Sequence, residues 1–128
     1  MSDSTSKRPA LGWMGKFRVA FRGIYFGVRG QASFAVHVSV MLLVIILSVV
    51  LKVDWVSWCV LLLCMALVMT VELLNSAIEI LFRGLPSEAQ DRSWPALDVA
   101  AGAVLVASLF AAVIGVMVLL PPLLRYFG

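Results

Sequence analysis

From Phe34 onward the chain is a series of long apolar runs separated by short polar breaks. The first run, Phe34 to Leu51, is long enough to cross a bilayer and has His37, near its start, as its one ionisable residue. Lys52, Val53 and Asp54 form a break so short that the flanking helices must be antiparallel neighbours, with Trp55 and Trp58 as interface anchors. A second run, 55–82, ends before Gly84 and Pro86. The stretch from Arg83 to Pro95, RGLPSEAQDRSWP, mixes prolines with both signs of charge and reads as a loop. A third helix is expected over 97–120, stopped by Pro121 and Pro122. Ahead of these runs, over 10–30, Leu11, Met14, Phe17, Phe21, Ile24 and Val28 recur every three or four residues with basic residues between them. That pattern predicts an amphipathic helix lying on the membrane surface. Residues 1–9 are polar and read as a disordered tail, and no secretory signal is evident.

Composition turns this pattern into a class. At 128 residues the chain is expected to be a single membrane domain, with 62% hydrophobic and 13% charged residues. Too few polar residues exist to cover a water-soluble globule. Six of the ten basic residues (Lys7, Arg8, Lys16, Arg18, Arg22 and Arg29) precede the first span. Arg83 and Arg92 lie between the second and third spans, Lys52 in the first turn, and Arg125 after the third span. A cytoplasmic amino terminus and an external carboxyl terminus put eight basic residues inside against two outside. Basic residues so placed suit membrane lipids, and nucleic acid is not expected as a partner. Cys59 and Cys64, five apart in one apolar run, read as small packing residues.

One segment breaks the apolar rule. In TVELLNSAIEIL, Thr70 to Leu81, the polar residues Glu72, Asn75, Ser76 and Glu79 stand at i, i+3, i+4 and i+7 and so line one helix face. Carboxylates at lipid depth are costly unless they face protein, water or a cation. In the expected topology Glu79 and Asp98 lie near the cytoplasmic surface, with Glu72 about 10 Å deeper. Such a face could hold Mg²⁺ beside nucleotide phosphates, act as general base on a lipid hydroxyl, relay protons or ions, or join helices through buried hydrogen bonds. Three helices are too few to enclose a transport path in one chain, and no phosphate-binding glycine motif of the soluble nucleotide folds is present.

The string VELLNSAIE, followed about twenty residues later by LDVAAGAVL, resembles the small prokaryotic diacylglycerol kinase family, which includes undecaprenol kinases. FRGIYFGVRGQASFAVHV resembles that family's surface helix leading into its first span, so the likeness runs from about Phe17 to Gly115. The resemblance implies an all-α membrane protein with an amphipathic surface helix and three transmembrane helices, assembled as a homotrimer in the bacterial inner membrane. It implies transfer of the γ-phosphoryl of ATP, with Mg²⁺ as cofactor, to a lipid alcohol at the cytoplasmic face. By the same resemblance Glu72 is the base or orients the lipid hydroxyl, Asn75 organises the site, Glu79 and Gln31 hold the metal, and Ser76 joins Glu72 on the lipid substrate. Asp98, Glu79, Arg83 and Arg22 are the expected nucleotide-binding residues.

Three positions depart from the family pattern. Gln31 stands where the family has Glu, Leu97 where it has Lys, and Arg83 where it often has Asp. Arg83 could supply the phosphate-binding cation that Leu97 cannot. The alternative is a catalytically silent relative acting as a lipid-binding or scaffolding membrane protein.

Overall fold

In a solvent without hydrogen bonds to offer, each backbone amide must find its partner inside its own segment, and this chain meets that demand with helices. The computed structural model describes residues 9–128, which are all-helical. The helices are α1 (Trp13–Val28), α2 (Ala32–Val50), α3 (Trp55–Arg83) and α4 (Ser87–Phe127). Of the expected tail over 1–9, residues 1–8 lie outside the described residues. α2, α3 and α4 are each long and apolar enough to cross a membrane.

α3 is the hub: α1, α2 and α4 all pack on it, α4 most extensively. Its buried residues are Leu61, Met65, Val68, Glu72, Asn75, Ser76 and Phe82. From Leu61 to Asn75 the steps are of three and four residues, Ser76 adjoins Asn75 and Phe82 lies two turns beyond it, so they form one stripe, apolar in its first half and mostly polar in its second. Phe34 from α2 and Ala100 and Ala107 from α4 complete the core. The outer faces remain open within the chain, with Leu63, Leu81, Val99 and Phe110 all exposed. An apolar surface on this scale calls for lipid or another copy to cover it.

The turn between α2 and α3 is built from backbone bonds. The Val53 amide donates to the Ser48 carbonyl and the Lys52 amide to the Val49 carbonyl, the paired bonds of a Schellman motif. The motif needs a left-handed residue, and Lys52 takes it at φ 50°, a conformation that costs a side chain of order 1 kcal/mol. Asp54 then caps α3: Oδ2 accepts from the Val56 and Ser57 amides, and Oδ1 accepts from the Ser57 hydroxyl. At the other turn Gly30 takes φ 76° between α1 and α2. Gly27 is buried where α1 meets α3, and a Cβ there would stand 2.7 Å from a Leu73 methyl.

α4 departs from expectation at both ends. The stretch read as a loop up to Pro95 is instead helical from Ser87, leaving only Gly84, Leu85 and Pro86 between α3 and α4. Pro86 is the N-cap and offers no side-chain cap, but Glu88 puts an acid in the first turn, a favourable start that the mixed charges of the segment obscured. Pro95, Pro121 and Pro122 all sit inside the helix. Each removes an amide donor, yet α4 continues through them. Contact with α3, including the Phe82 and Trp94 rings at 4.9 Å, holds the first of these stretches in place.

The Asp54 cap gives a measurable consequence. Its hydrogen bonds, above all that from the Ser57 hydroxyl, hold the carboxyl below the ordinary aspartate range. A lowered folded-state value means that the stabilisation is complete above the unfolded value and disappears as pH falls through the folded one. Asp54→Ala is therefore expected to lower the thermal midpoint in detergent at pH 7, with the gap from wild type closing below about pH 4. A gap that persisted unchanged at pH 2 would assign the loss to something other than the cap.

Candidate functional site

Two residues of α3, a full two turns apart on one face, set the two ends of the site. The inner one, Glu72, is 1% exposed. Its Oε1 accepts from the Ser33 hydroxyl. Its Oε2 has no hydrogen-bond partner among the described residues, and the nearest cationic or imidazole nitrogen is His37 Nε2 at 3.8 Å. Ser33 and His37 are one helical turn apart near the start of α2, so a single face of α2 addresses both carboxylate oxygens. Burial of a carboxylate costs several kcal/mol, and here one donor offsets only part of it.

The outer end is Glu79, which is richly supplied. Asn75 Nδ2 donates to Oε1 at 3.0 Å, Gln31 Nε2 donates to Oε2 at 3.2 Å, and Arg83 Nη2 stands 3.6 Å from Oε2. Gln31 is the N-cap residue of α2, but its side chain reaches across to Glu79 instead of capping its own helix. Asn75 lies between the two carboxylates on the sequence and is itself buried. Ser76 is fully buried, and its hydroxyl, like Glu72 Oε2, has no partner among the described residues. Charge on Glu79 is thus met by two amides and a guanidinium, whereas Glu72 keeps one oxygen free in a dry setting.

Of the residues named from the sequence, Gln31, Glu72, Asn75, Ser76, Glu79 and Arg83 come together on the α2–α3 seam. Asp98 on α4 and Arg22 on α1 do not join them: both are exposed, and neither makes a side-chain hydrogen bond or ion pair among the described residues. Ser33 and His37 were absent from the expected set. The signal for them is the i, i+4 pair Ser33 and His37, a polar stripe at the head of a largely apolar span. Sequence spacing along α2 shows that stripe but not the carboxylates it meets.

The described residues include no group of three His, Cys, Asp or Glu side chains that could hold a metal ion on its own. What the outer end offers is a carboxylate beside two side-chain amides, each carrying an oxygen as well as its donor. That all-oxygen set, supplemented by water and phosphate, is how Mg²⁺ is commonly held.

A family model described as prokaryotic diacylglycerol kinase matches residues 18–119. The chain is similar to the diacylglycerol kinase of Synechocystis sp., 36% identical over 109 residues that cover 84% of this chain and 62% of that protein. It is similar also to the undecaprenol kinase of Bacillus subtilis, 30% identical over 122 residues that cover 94% of this chain and 99% of that protein. No solved structure gives a significant match.

Ser33 provides the test of how the inner carboxylate is held. Ser33→Ala leaves both Glu72 oxygens without a hydroxyl or amide donor and is expected to cost about 1–3 kcal/mol. The midpoint of unfolding in mixed micelles on titration with SDS reads this directly. Ser33→Thr keeps the hydroxyl and should stay near wild type, while a wild-type midpoint for the alanine variant would show that the bond does not support the fold.

Proposed function

The chain belongs to the prokaryotic diacylglycerol kinase family, and from that premise we propose that it is a membrane lipid kinase, transferring the γ-phosphoryl of MgATP to a lipid alcohol of the diacylglycerol or polyprenol class. The observation that carries this reading is Glu72, fully buried among apolar helices with one carboxylate oxygen unpartnered. A carboxylate kept in that condition is suited to receive a proton from a hydroxyl delivered through the membrane.

The proposed chemistry is direct and in line. The lipid hydroxyl gives its proton to Glu72 Oε2 as its oxygen forms the new bond to the γ-phosphorus, and the bond to the β-phosphate oxygen breaks to leave ADP. Asn75 and Gln31 fix the Glu79 carboxylate from opposite sides. Glu79, with the amide oxygen of Gln31, would hold Mg²⁺, which when bound neutralises phosphate charge. Arg83, 75% exposed and one turn beyond Glu79, is placed to meet a phosphate arriving from water. It takes over the cationic role that Leu97 cannot fill. Catalysis of this sort rests on positioning and charge stabilisation, which explains how few side chains are needed.

The remaining parts of the reading concern assembly and placement. Asp98 and Arg22 stand apart from Glu79 within one chain, and a homotrimer would let a neighbouring copy bring them to the nucleotide. The open apolar faces of α2 and α4 would then be shared between copies and lipid. α1 would lie on the cytoplasmic surface of the inner membrane with its basic residues toward the headgroups. The carboxyl terminus would be external.

Purified protein in mixed micelles, given MgATP labelled at the γ-phosphate and a panel of diacylglycerols and polyprenols, is expected to label at least one lipid. Glu72→Gln should lower kcat by at least about 100-fold without changing the fold, since it removes the proton acceptor. Lipid that stays unlabelled in every case, from protein that is folded and assembled, would favour a silent lipid-binding relative. Arg83→Ala should raise KM for ATP about tenfold or more and leave KM for the lipid nearly unchanged. An unaltered KM for ATP would remove Arg83 from the nucleotide site.

A further inference from the structure

The inner end of the site contains an imidazole that the proposed chemistry has not used. His37 Nε2 faces the unpartnered Glu72 Oε2 at 3.8 Å, too far for a direct hydrogen bond and close enough for one oxygen atom to bridge the two. His37 also lines a groove of about 530 Å³ between α2, α3 and α4 whose walls, from Val40 and Val44 to Ala111 and Leu120, are almost entirely apolar. Ser108 adds a hydroxyl on the α4 side, but His37 is the one basic side chain of the lining, and its imidazole is the edge that faces Glu72.

We infer that His37 is a second contact to the acceptor hydroxyl. The lipid alcohol's oxygen sits between His37 and Glu72, accepting a hydrogen bond from the imidazole N–H and donating its own proton to Glu72 Oε2. This rests on the lipid-kinase reading and deepens it, adding a residue that selects for a hydroxyl at the membrane end of the site. Ser33 matters to the same geometry, because its bond to Oε1 turns Oε2 toward His37. In transfer, the O–H bond breaks toward Glu72, the oxygen–phosphorus bond forms, and the imidazole keeps its proton throughout. An apolar residue at 37 would leave the hydroxyl oxygen without a donor and Glu72 as its single partner, and so weaken the groove's hold on an alcohol.

The test measures lipid binding as well as turnover. Wild type, His37→Leu and His37→Gln are titrated in detergent with dioctanoylglycerol, with farnesol, and with trioctanoylglycerol, which has no hydroxyl; the thermal midpoint reports binding. His37→Leu is expected to bind the alcohols about tenfold more weakly and the triester as wild type does. His37→Gln, whose amide can donate from the place of Nε2, should recover most of the difference. In turnover the same factor is expected in KM for the lipid alcohol, with KM for MgATP unchanged. Equal alcohol binding by wild type and His37→Leu overturns the inference, as does parallel weakening for alcohols and triester or failure of the wild type to bind any alcohol. Alcohol binding that depends on His37 without phosphoryl transfer would support the contact and overturn the kinase reading instead.

Discussion

The structure depends on keeping one carboxylate, Glu72, inside a bundle that otherwise excludes charge. An isolated carboxylate in such a place would cost more than a domain of this size can easily absorb. It is tolerated because α2 delivers the Ser33 hydroxyl to one of its oxygens. The bond runs between helices, so it also fixes how α2 sits on α3. The apolar part of the α3 stripe, Leu61, Met65 and Val68, resembles any membrane helix interface in having many acceptable registers. The polar part is more selective, because the observed register brings the Ser33 hydroxyl to Glu72 and a slip of one residue would take it away. Packing supplies attraction, and the carboxylate supplies the choice.

That register is set far from the site. α2 and α3 are joined by a turn in which Lys52 adopts a left-handed conformation and Asp54 caps the following helix. From there the helices run antiparallel, and the head of α2 returns to the tail of α3: Gln31 reaches Glu79, and Ser33 and His37 reach Glu72. A slip of one residue in the turn would rotate these side chains off the seam by about 100°. The strain accepted at Lys52 is consistent with a turn selected for where it places a distant end.

Sequence reasoning recovered the spans, the turn between α2 and α3, and the polar face of α3 because each is local: periodicity, run length and short polar breaks all act within a few positions. It misplaced the start of α4, since prolines and mixed charge at 83–95 argue for a loop when the stabilising contact of Trp94 with Phe82 is not visible. Pro121 and Pro122 misled in the same way, as breakers of helices in water that a membrane-type helix carries. The partners of the carboxylates were harder still. Asn75 and Arg83 share the helix of Glu79 and follow from spacing, but Ser33 and His37 meet Glu72 across a distance of 39 and 35 positions. Their role needs the register, and the register is tertiary. The family likeness, by contrast, was fully legible, because VELLNSAIE lies on one helix.

The two acids of α3 begin as equivalent members of one stripe, and the fold makes them different. Glu79 is about one-third exposed, accepts hydrogen bonds from Asn75 and Gln31 and has the Arg83 guanidinium nearby, so its charge is stabilised before any ligand arrives. Glu72 is dry and half satisfied. A group surrounded by donors and close to water is suited to hold charged, hydrated partners, and a group with a free oxygen in an apolar corner is suited to take a proton from an uncharged one. This division bears on the departures at 31, 83 and 97. Gln31 and Arg83 both stand beside Glu79, and Leu97 takes the place of the family's cation, so all three changes fall on what we propose to be the nucleotide end. Among the described residues none makes a hydrogen bond or ion pair with Glu72, Ser33 or His37. Altered handling of the phosphoryl donor, with an unaltered lipid end, is therefore the change that this set of substitutions would produce in a kinase of this family.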